Sequence, residues 1–523
     1  MKRRSFLRAG AGLATLPVIL DGLNVSAYAR SPLLEALDTA PCQDRVLVLI
    51  QMAGGNDGLN TVIPLDQYGL YKNARTNIAI EEAKSLKLTD AAGLHPQMGL
   101  MQQMYTNGMM RVVQAVGYPV PNYSHFRSTD IWLSASDAEQ VISTGWMGRY
   151  LEQAYPGFPA GYPNSSMPDP LAIQIGTVIS PGLEGTSANM GMAFTDPTTY
   201  FNISNQNTPV GVGRRAGTEL RYIREVGQQI EKFANPVKAA ASRAKNKSGK
   251  YPAVRTNPLA DQLKIVAQLI AGGLKTKIYI VTHTGFDTHS YQVTGGAGSP
   301  VPHGTLLEQM SVAIDAFQDD IKLLGVQDRV LGMTFSEFGR RIKSNSSGGT
   351  DHGAAAPVFL FGTSVKKGVL GQNPTIPANP TSEDNVPMQY DFRSVYSTIL
   401  RNWFCVDAAT TEKLLFRDFG VLDVLTTGAT TSLMDQLATP GLALRVGPNP
   451  SHSYVTIAYE APQGAVTMSL FDGTGQQIMS QTEMHSGGTA TVGLDVTPIP
   501  SGQYYVRLGY AGAAVVRPLV VAR

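Results

Sequence analysis

Four short clusters of carboxylate and imidazole punctuate the chain, each placed shortly after an apolar run: Gly54-Gly55-Asn56-Asp57-Gly58, Phe286-Asp287-Thr288-His289, Ser336-Glu337-Phe338-Gly339-Arg340 and Thr350-Asp351-His352-Gly353. Carboxylate oxygens and imidazole nitrogens are the ligands that hard and borderline divalent ions take. Asp57, Asp287, His289, Glu337, Asp351 and His352 are therefore candidate metal ligands. Asp287 and His289 stand two apart, so an extended backbone puts both on one face, within reach of one ion. Each cluster alone also reads as a tight turn or a helix cap. Their recurrence at several strand ends points to a bound Zn, Mn or Ca ion and to metal-assisted hydrolysis. His283 reads as a hydrogen-bonded core histidine, and His303, just before a helix, as a weaker ligand candidate.

A nucleophile is placed by Pro121-Asn122-Tyr123-Ser124-His125-Phe126-Arg127-Ser128, which leads into a helical pattern at 129–135. Ser124 then falls near a helix N-terminus, where free N–H groups and the dipole favour a developing oxyanion. The plainer reading, an N-cap serine, is compatible with catalysis. Arg127 offers a forked donor for phosphate or sulfate oxygens. With Asn56 and His125 it completes the expected substrate-binding set.

These groups need a scaffold that gathers distant segments. Unbroken apolar runs at 46–50, 111–116, 171–175, 277–282, 330–335 and 358–361 read as strands buried on both faces. A helix is predicted over 305–324, where Leu306, Met310, Ile314, Phe317, Ile321 and Leu324 recur at spacings of three and four. Strand and helix alternation predicts an α/β fold, a mostly parallel sheet with helices on both faces, whose strand ends converge on one crevice. Pro, Gly, Asn and Ser between 155 and 209 predict loops capping the sheet edge, and the Lys-rich 238–250 stretch a solvated helix end.

At 523 residues with 43% hydrophobic, 16% charged and a formal net charge of +2, nothing in the composition calls for nucleic acid or an anionic membrane as partner. Residues 1–29 read as an export signal: Arg3-Arg4, an apolar stretch from Ala9 to Leu20, then Ala27-Tyr28-Ala29. The Arg-Arg pair followed by Phe6-Leu7 resembles a twin-arginine signal, which implies a translocase that exports folded protein. The apolar run is shorter than the ~20 residues of a spanning helix, and no later segment supplies one. Cys42 and Cys405 are the only cysteines, too few for a disulfide framework or a thiolate zinc site. Whether they pair is open at this point.

From Val446 the chain changes to short alternating segments, 454–459, 466–471, 490–496 and 504–508, divided by turns such as Asp472-Gly473-Thr474-Gly475. This predicts a small all-β sandwich at 445–523 behind an α/β domain at 41–425. Gly447-Pro448-Asn449-Pro450, the Phe471 to Gln476 hairpin, Ile499 to Tyr505 and the Val-rich end resemble the C-terminal sorting domain of the type IX secretion system. A carbohydrate-binding sandwich is the plainer alternative. Export signals at both ends imply a periplasmic passage, then the cell surface or the medium.

The export signal followed by G-G-N-D-G, S-H-F-R, F-D-T-H, S-E-F-G-R and T-D-H-G resembles the secreted domain-of-unknown-function 1501 family, grouped with the alkaline phosphatase and sulfatase superfamily, over roughly 45–423. The resemblance implies that Asp57 is the first-strand metal aspartate, Ser124 the nucleophile, Asp287 and His289 a metal pair, and His352 the last metal histidine. Glu337 lies where the superfamily commonly has Asp followed by His. Phe338 stands where that second imidazole is usual, and no Cys-x-Pro-x-Arg segment is present. The expectation is an exported metal-dependent hydrolase of phosphate, sulfate or related esters. The alternative is a cell-surface binding or assembly protein keeping the fold with a degraded site. Gly55-Asn56-Asp57 also resembles one block of the SGNH esterases, but their upstream Gly-Asp-Ser block is missing and Asp287-Thr288-His289 is one residue short of their last.

Overall fold

The computed structural model describes residues 18–20, 23–25, 42, 44–197, 232–296, 301–426, 442–447, 451–472, 476–510 and 513–522. The expected export signal at 1–29 lies largely outside them, as do the Gly473 to Gly475 turn and Pro448 to Pro450. The chain divides into two compact units, one of them Cys42–Thr427.

That unit is built on a nine-stranded sheet. Its strands are β1 Val46–Ala53, β2 Met110–Gly117, β3 Ala172–Ile175, β4 Gly191–Phe194, β5 Ile278–Thr284, β6 Val330–Phe335, β7 Ala356–Phe361, β8 Gly368–Leu370 and β9 Tyr390–Asp391. They lie in the order β8-β2-β7-β6-β1-β5-β3-β4, with β9 also on β2. All neighbours are parallel except at β7, which runs antiparallel to β6 and β2. The sheet is thus mostly parallel. β1, β6 and β7 are buried almost throughout, as strands covered on both faces must be, which is why they read as continuous apolar runs.

Among the covering helices, α1 Gly99–Thr106, α3 Pro258–Ala271 and α4 His303–Leu323 pack together. α4 buries the stripe predicted for it, Leu306, Met310, Ile314, Phe317 and Ile321. It starts two residues earlier than its apolar period shows. α2, His125–Ser134, follows β2 and begins four residues earlier than its sequence pattern suggests. In the 155–209 stretch β3 occupies the apolar run read as a strand at 171–175, and an edge strand, β4, replaces part of the expected loop; it has only four residues, too few to show a period.

Strand register decides where the site forms. Ala53 pairs with Thr284, and Gln51 with Phe335, so β1, β5 and β6 end almost flush and their following loops leave the sheet side by side. Because β7 is reversed, the segment before it, carrying Asp351 and His352, arrives at the same edge. Cys42 and Cys405 form a disulfide with Cα atoms 6.0 Å apart, tying the residues ahead of β1 to a point 363 residues later.

The C-terminal strands are β10 Ala443–Gly447, β11 Tyr454–Ala461, β12 Gly464–Asp472, β13 Gln477–His485, β14 Gly488–Asp495, β15 Gly502–Tyr510 and β16 Ala513–Val521. They form antiparallel sheets β10-β11-β14 and β13-β12-β15-β16. Alternate residues Val455, Ile457 and Tyr459 face a core shared with Leu470, Val506, Leu508 and Leu519. β13 is exposed along nearly all its length and has no apolar face, so the sequence pattern does not reveal it. No described helix is long and apolar enough to cross a membrane.

Candidate metal centre

Loop geometry at the sheet edge is fixed by glycine and by one buried arginine. Gly54 has φ +125°, and a Cβ there would fall on the Phe286–Asp287 backbone; Gly55 has φ +82°, and its Cβ would strike the Phe338 ring. Only glycine allows both the turn and this approach. Arg340 then binds the loops together. Its Nε donates to the Gly55 carbonyl (2.7 Å) and Nη1 to the Thr350 carbonyl (2.7 Å). Nη2 donates to the carbonyls of Gly54 and Phe286 and to Asp287 Oδ1 (2.7 Å). Four segments distant in sequence are held by one planar fork.

On this frame three imidazoles converge on one carboxylate. Atoms of His125, Asp287 and His352 all lie within 4.8 Å of one another. His352 Nε2 and His289 Nε2 are each 3.2 Å from Asp287 Oδ1, and His125 Nε2 is 3.5 Å from Asp287 Oδ2. Each ring is held from behind through Nδ1. His125 Nδ1 bonds Glu337 Oε1 (2.8 Å), His289 Nδ1 bonds Asp351 Oδ1 (3.2 Å), and His352 Nδ1 bonds the Tyr123 carbonyl (2.7 Å). Glu337 is fixed in turn by the Gly54 N–H (2.8 Å), and Asp351 by Asn345 Nδ2 (3.0 Å).

The acceptors decide the tautomers. A carbonyl and two carboxylates cannot donate, so each Nδ1 carries a proton, and Nε2 of each ring is the atom turned toward Asp287. His289 Nε2 and His352 Nε2 then face each other at 2.8 Å. Two lone pairs at that distance repel unless a cation or proton lies between them. An oriented imidazole backed by a carboxylate or carbonyl is also the usual support of a histidine metal ligand. The donor set fits a divalent ion.

Electrostatics agree. Burial opposes ionisation of Asp287, but hydrogen bonds from His352 and Arg340 and the nearby positive charge hold its carboxyl far below the usual range. The Asp351 carboxyl is likewise lowered, its burial outweighed by Asn345 and His289. The bond to Glu337 raises His125, whereas burial and Arg340 lower His289. Asp287 and His289 keep 49% and 42% of their side-chain surface, leaving the centre open to a substrate.

The remaining expected site residues take other places. Asp57 is completely buried; Arg75 Nη1 donates to both its oxygens (2.8 and 2.6 Å) and Gln292 Nε2 to Oδ2 (2.6 Å). Burial works to raise its pKa, but Arg75, His303 and these bonds outweigh it and hold the carboxyl low. Asp57 is therefore the anion of an internal ion pair, outside the converging group. Asn56 is also fully buried, its Oδ1 accepting from His303 Nε2 and Thr61 Oγ1 (both 3.0 Å), so it does not meet a substrate as expected. Arg127 turns away as well, its guanidinium capping the carbonyls of Asp137, Ala138 and Gln140. His125, expected to bind substrate, belongs to the converging group. Glu337 and Asp351 stand behind His125 and His289.

Ser124 is the exposed N-cap of α2, its side chain making no cap hydrogen bond. It lies between Tyr123, whose carbonyl holds His352, and His125. Phe338, buried at the centre, packs its ring on His125 and His352 at centroid distances of 4.9 and 4.5 Å. His283 Nε2 donates to the Leu306 carbonyl (2.9 Å), as a core histidine requires. Arg340, Arg75, Gln292 and the Tyr123 carbonyl carry no motif signal of their own. Arg340 and Tyr123 lie inside the clusters named above, but nothing in a sequence marks an arginine as buried or a carbonyl as a histidine's partner.

Residues 227–428 match the family described as Protein of unknown function (DUF1501), and residues 445–522 match the secretion system C-terminal sorting domain. The G-G-N-D-G and S-H-F-R clusters lie ahead of the first match. No curated protein matches the chain. Similar solved structures include a protein in the alkaline phosphatase superfamily from Vibrio parahaemolyticus, with 10% identity, 87% of this chain and 84% of that one covered, and a TM-score of 0.35. A sulfatase from Pseudoalteromonas sp. has 10% identity, coverage of 90% and 88%, and a TM-score of 0.31. Alkaline phosphatase from the Antarctic bacterium TAB5 has 11% identity, coverage of 71% and 98%, and a TM-score of 0.26. The chain thus carries a DUF1501 domain on a mostly parallel α/β sheet. It also ends in a type IX secretion C-terminal sorting domain, which marks it for export to the cell surface or the medium.

Proposed function

We propose that the chain is an exported metal-dependent hydrolase of phosphate, sulfate or related esters, built around one ion held by His125, Asp287, His289 and His352. The observation that carries this reading is the convergence of three Nε2 atoms on one carboxylate, each imidazole braced from behind through Nδ1. Three imidazoles and a carboxylate suit Zn or Mn; Ca, which takes six or more oxygens, is disfavoured. Bound there, a divalent ion supplies Lewis acidity toward an ester oxygen and a lowered pKa for water.

The chain's own groups do the rest. Ser124 offers its hydroxyl at the N-terminus of the ten-residue α2, where first-turn N–H groups stabilise negative charge on a transferring group. Attack by that hydroxyl on phosphorus or sulfur, its proton passing to solvent, expels the alkoxide, which takes up a proton, and water then displaces the phosphate or sulfate from Ser124; direct attack by water gives the same products in one step. Arg340 holds Asp287 and does not reach outward, since its N–H groups are already donated. Arg75 neutralises Asp57 without an ion, and Phe338 fills the space beside His125 and His352, so a mononuclear centre is favoured. A twin-arginine route would let the ion load before export.

Phe338 also supports a second reading, a surface binding or assembly protein that keeps the fold with a degraded site and shows neither tight metal nor turnover. An aryl phosphate and aryl sulfate panel separates the two. The hydrolase reading predicts turnover that Ser124→Ala reduces at least a hundredfold with metal content unchanged, and that Asp287→Asn abolishes along with the metal. Undiminished activity in metal-free protein would contradict it.

A further inference from the structure

Sharing no residue with the metal centre, a groove of about 510 Å³ opens at the carboxyl ends of β3 and β5 against the start of α3. That volume falls in the range of small-molecule sites. Its polar lining is hydroxyl and amide: Thr177, Thr195, Thr282, Gln174 and Gln262, with Asp261 as the one charged group. None of the lining residues is Lys, Arg or His, so the groove has nothing to hold a phosphate, sulfate or carboxylate. Ile175, Val178 and Ile265 supply apolar surface between the polar groups.

Two details show that the wall is fixed and unsatisfied. Gln262 is clamped across β5, its Nε2 donating to the Thr282 carbonyl (2.9 Å) and its Oε1 accepting the Thr282 N–H (3.0 Å). Gln174 Oε1 lies within the wall as a buried acceptor with no partner, and such an acceptor costs about 1–3 kcal/mol. The groove lies at the sheet edge that carries the metal centre, and the chain runs from Thr282 directly on to Asp287 and His289.

We infer that this groove binds a neutral saccharide. A sugar ring presents what the lining asks for: hydroxyls that donate to Asp261 and exchange hydrogen bonds with the threonines, and C–H faces that cover Ile175 and Val178. The inference does not depend on ester cleavage.

The test is calorimetry and saturation-transfer NMR on the full chain as isolated, with neutral hexasaccharides of glucose, xylose, mannose and galactose as probes. At least one is expected to bind. Thr195→Val, which removes an exposed lining hydroxyl, and Val178→Trp, which fills the groove from a position 71% exposed and so leaves the fold intact, are each expected to weaken it at least tenfold. Asp287→Asn is expected to bind equally well, so a failed metal reading would leave this result untouched. No binding by any hexasaccharide, binding unaltered by both groove substitutions, or binding lost in Asp287→Asn would overturn the inference.

Discussion

Glu337 and Arg340 show how much of the centre depends on residues that touch no substrate. Glu337 reaches the centre only through His125 Nδ1, so Glu337→Gln keeps the shape and removes the charge that aligns the ring. Loss of such a partner typically weakens metal affinity about 10–100-fold. Competition with a chromogenic chelator is expected to show a drop of that size in a variant with an unchanged melting temperature. Arg340 is different because its guanidinium also joins the loops. Arg340→Lys keeps the charge and loses the fork, leaving buried carbonyls unpaired, with an expected cost of about 3 kcal/mol or more in urea denaturation. A loss below about 1 kcal/mol would show that the loops hold without it. At this scale the sequence was partly legible. That Asp287, His289 and His352 come close together was readable because these residue types recur behind strands. Asp57 looked equally good but is neutralised by Arg75, eighteen residues on, whose burial no local pattern discloses.

Among elements, the decisive feature is that β1, β5 and β6 end flush while β7 returns to the same edge. Gly54 is where β1 hands over to the site, and its φ of +125° leaves no room for a side chain against Phe286 and Asp287. Gly54→Ala is expected to displace the Asp287 loop, with metal occupancy below a fifth of wild type by elemental analysis. Retained occupancy would mean that the loop adjusts cheaply. Continuous apolar strands and the α4 period were visible in the sequence because burial on one or both faces writes itself into hydrophobicity. β13 and β4 were not, one being solvent-exposed and the other only four residues long. The reversal of β7 was also hidden, since strand direction depends on connections across the whole sheet.

Taken whole, the molecule combines oxidising export with a core containing neutral histidines. The Cys42–Cys405 disulfide suits an oxidising compartment, and removing a native disulfide commonly costs about 2–5 kcal/mol. A Cys405→Ser variant is expected to lose stability in that range under oxidising conditions and to match wild type in reductant. Burial lowers His303 from 6.5 to about 3 and His95 from 6.5 to about 4. Both stay neutral in the fold while the unfolded chain takes up protons below about 6.5. Their contribution is complete above that pH and is lost progressively as pH falls toward 4 and 3, at most about 1.4 kcal/mol per pH unit for each ring. Chelator-treated His303→Gln is therefore expected to show a flatter decline of stability between pH 6.5 and 4 than wild type. An identical slope would remove His303 from the account.

Elemental analysis of the isolated protein beside its His352→Ala variant bears most directly on the centre. About one Zn or Mn per wild-type chain, falling to near zero in the variant while the circular dichroism spectrum is retained, is the predicted result. A wild type without stoichiometric metal, or a variant that keeps it, would contradict a shared ion among His125, Asp287, His289 and His352.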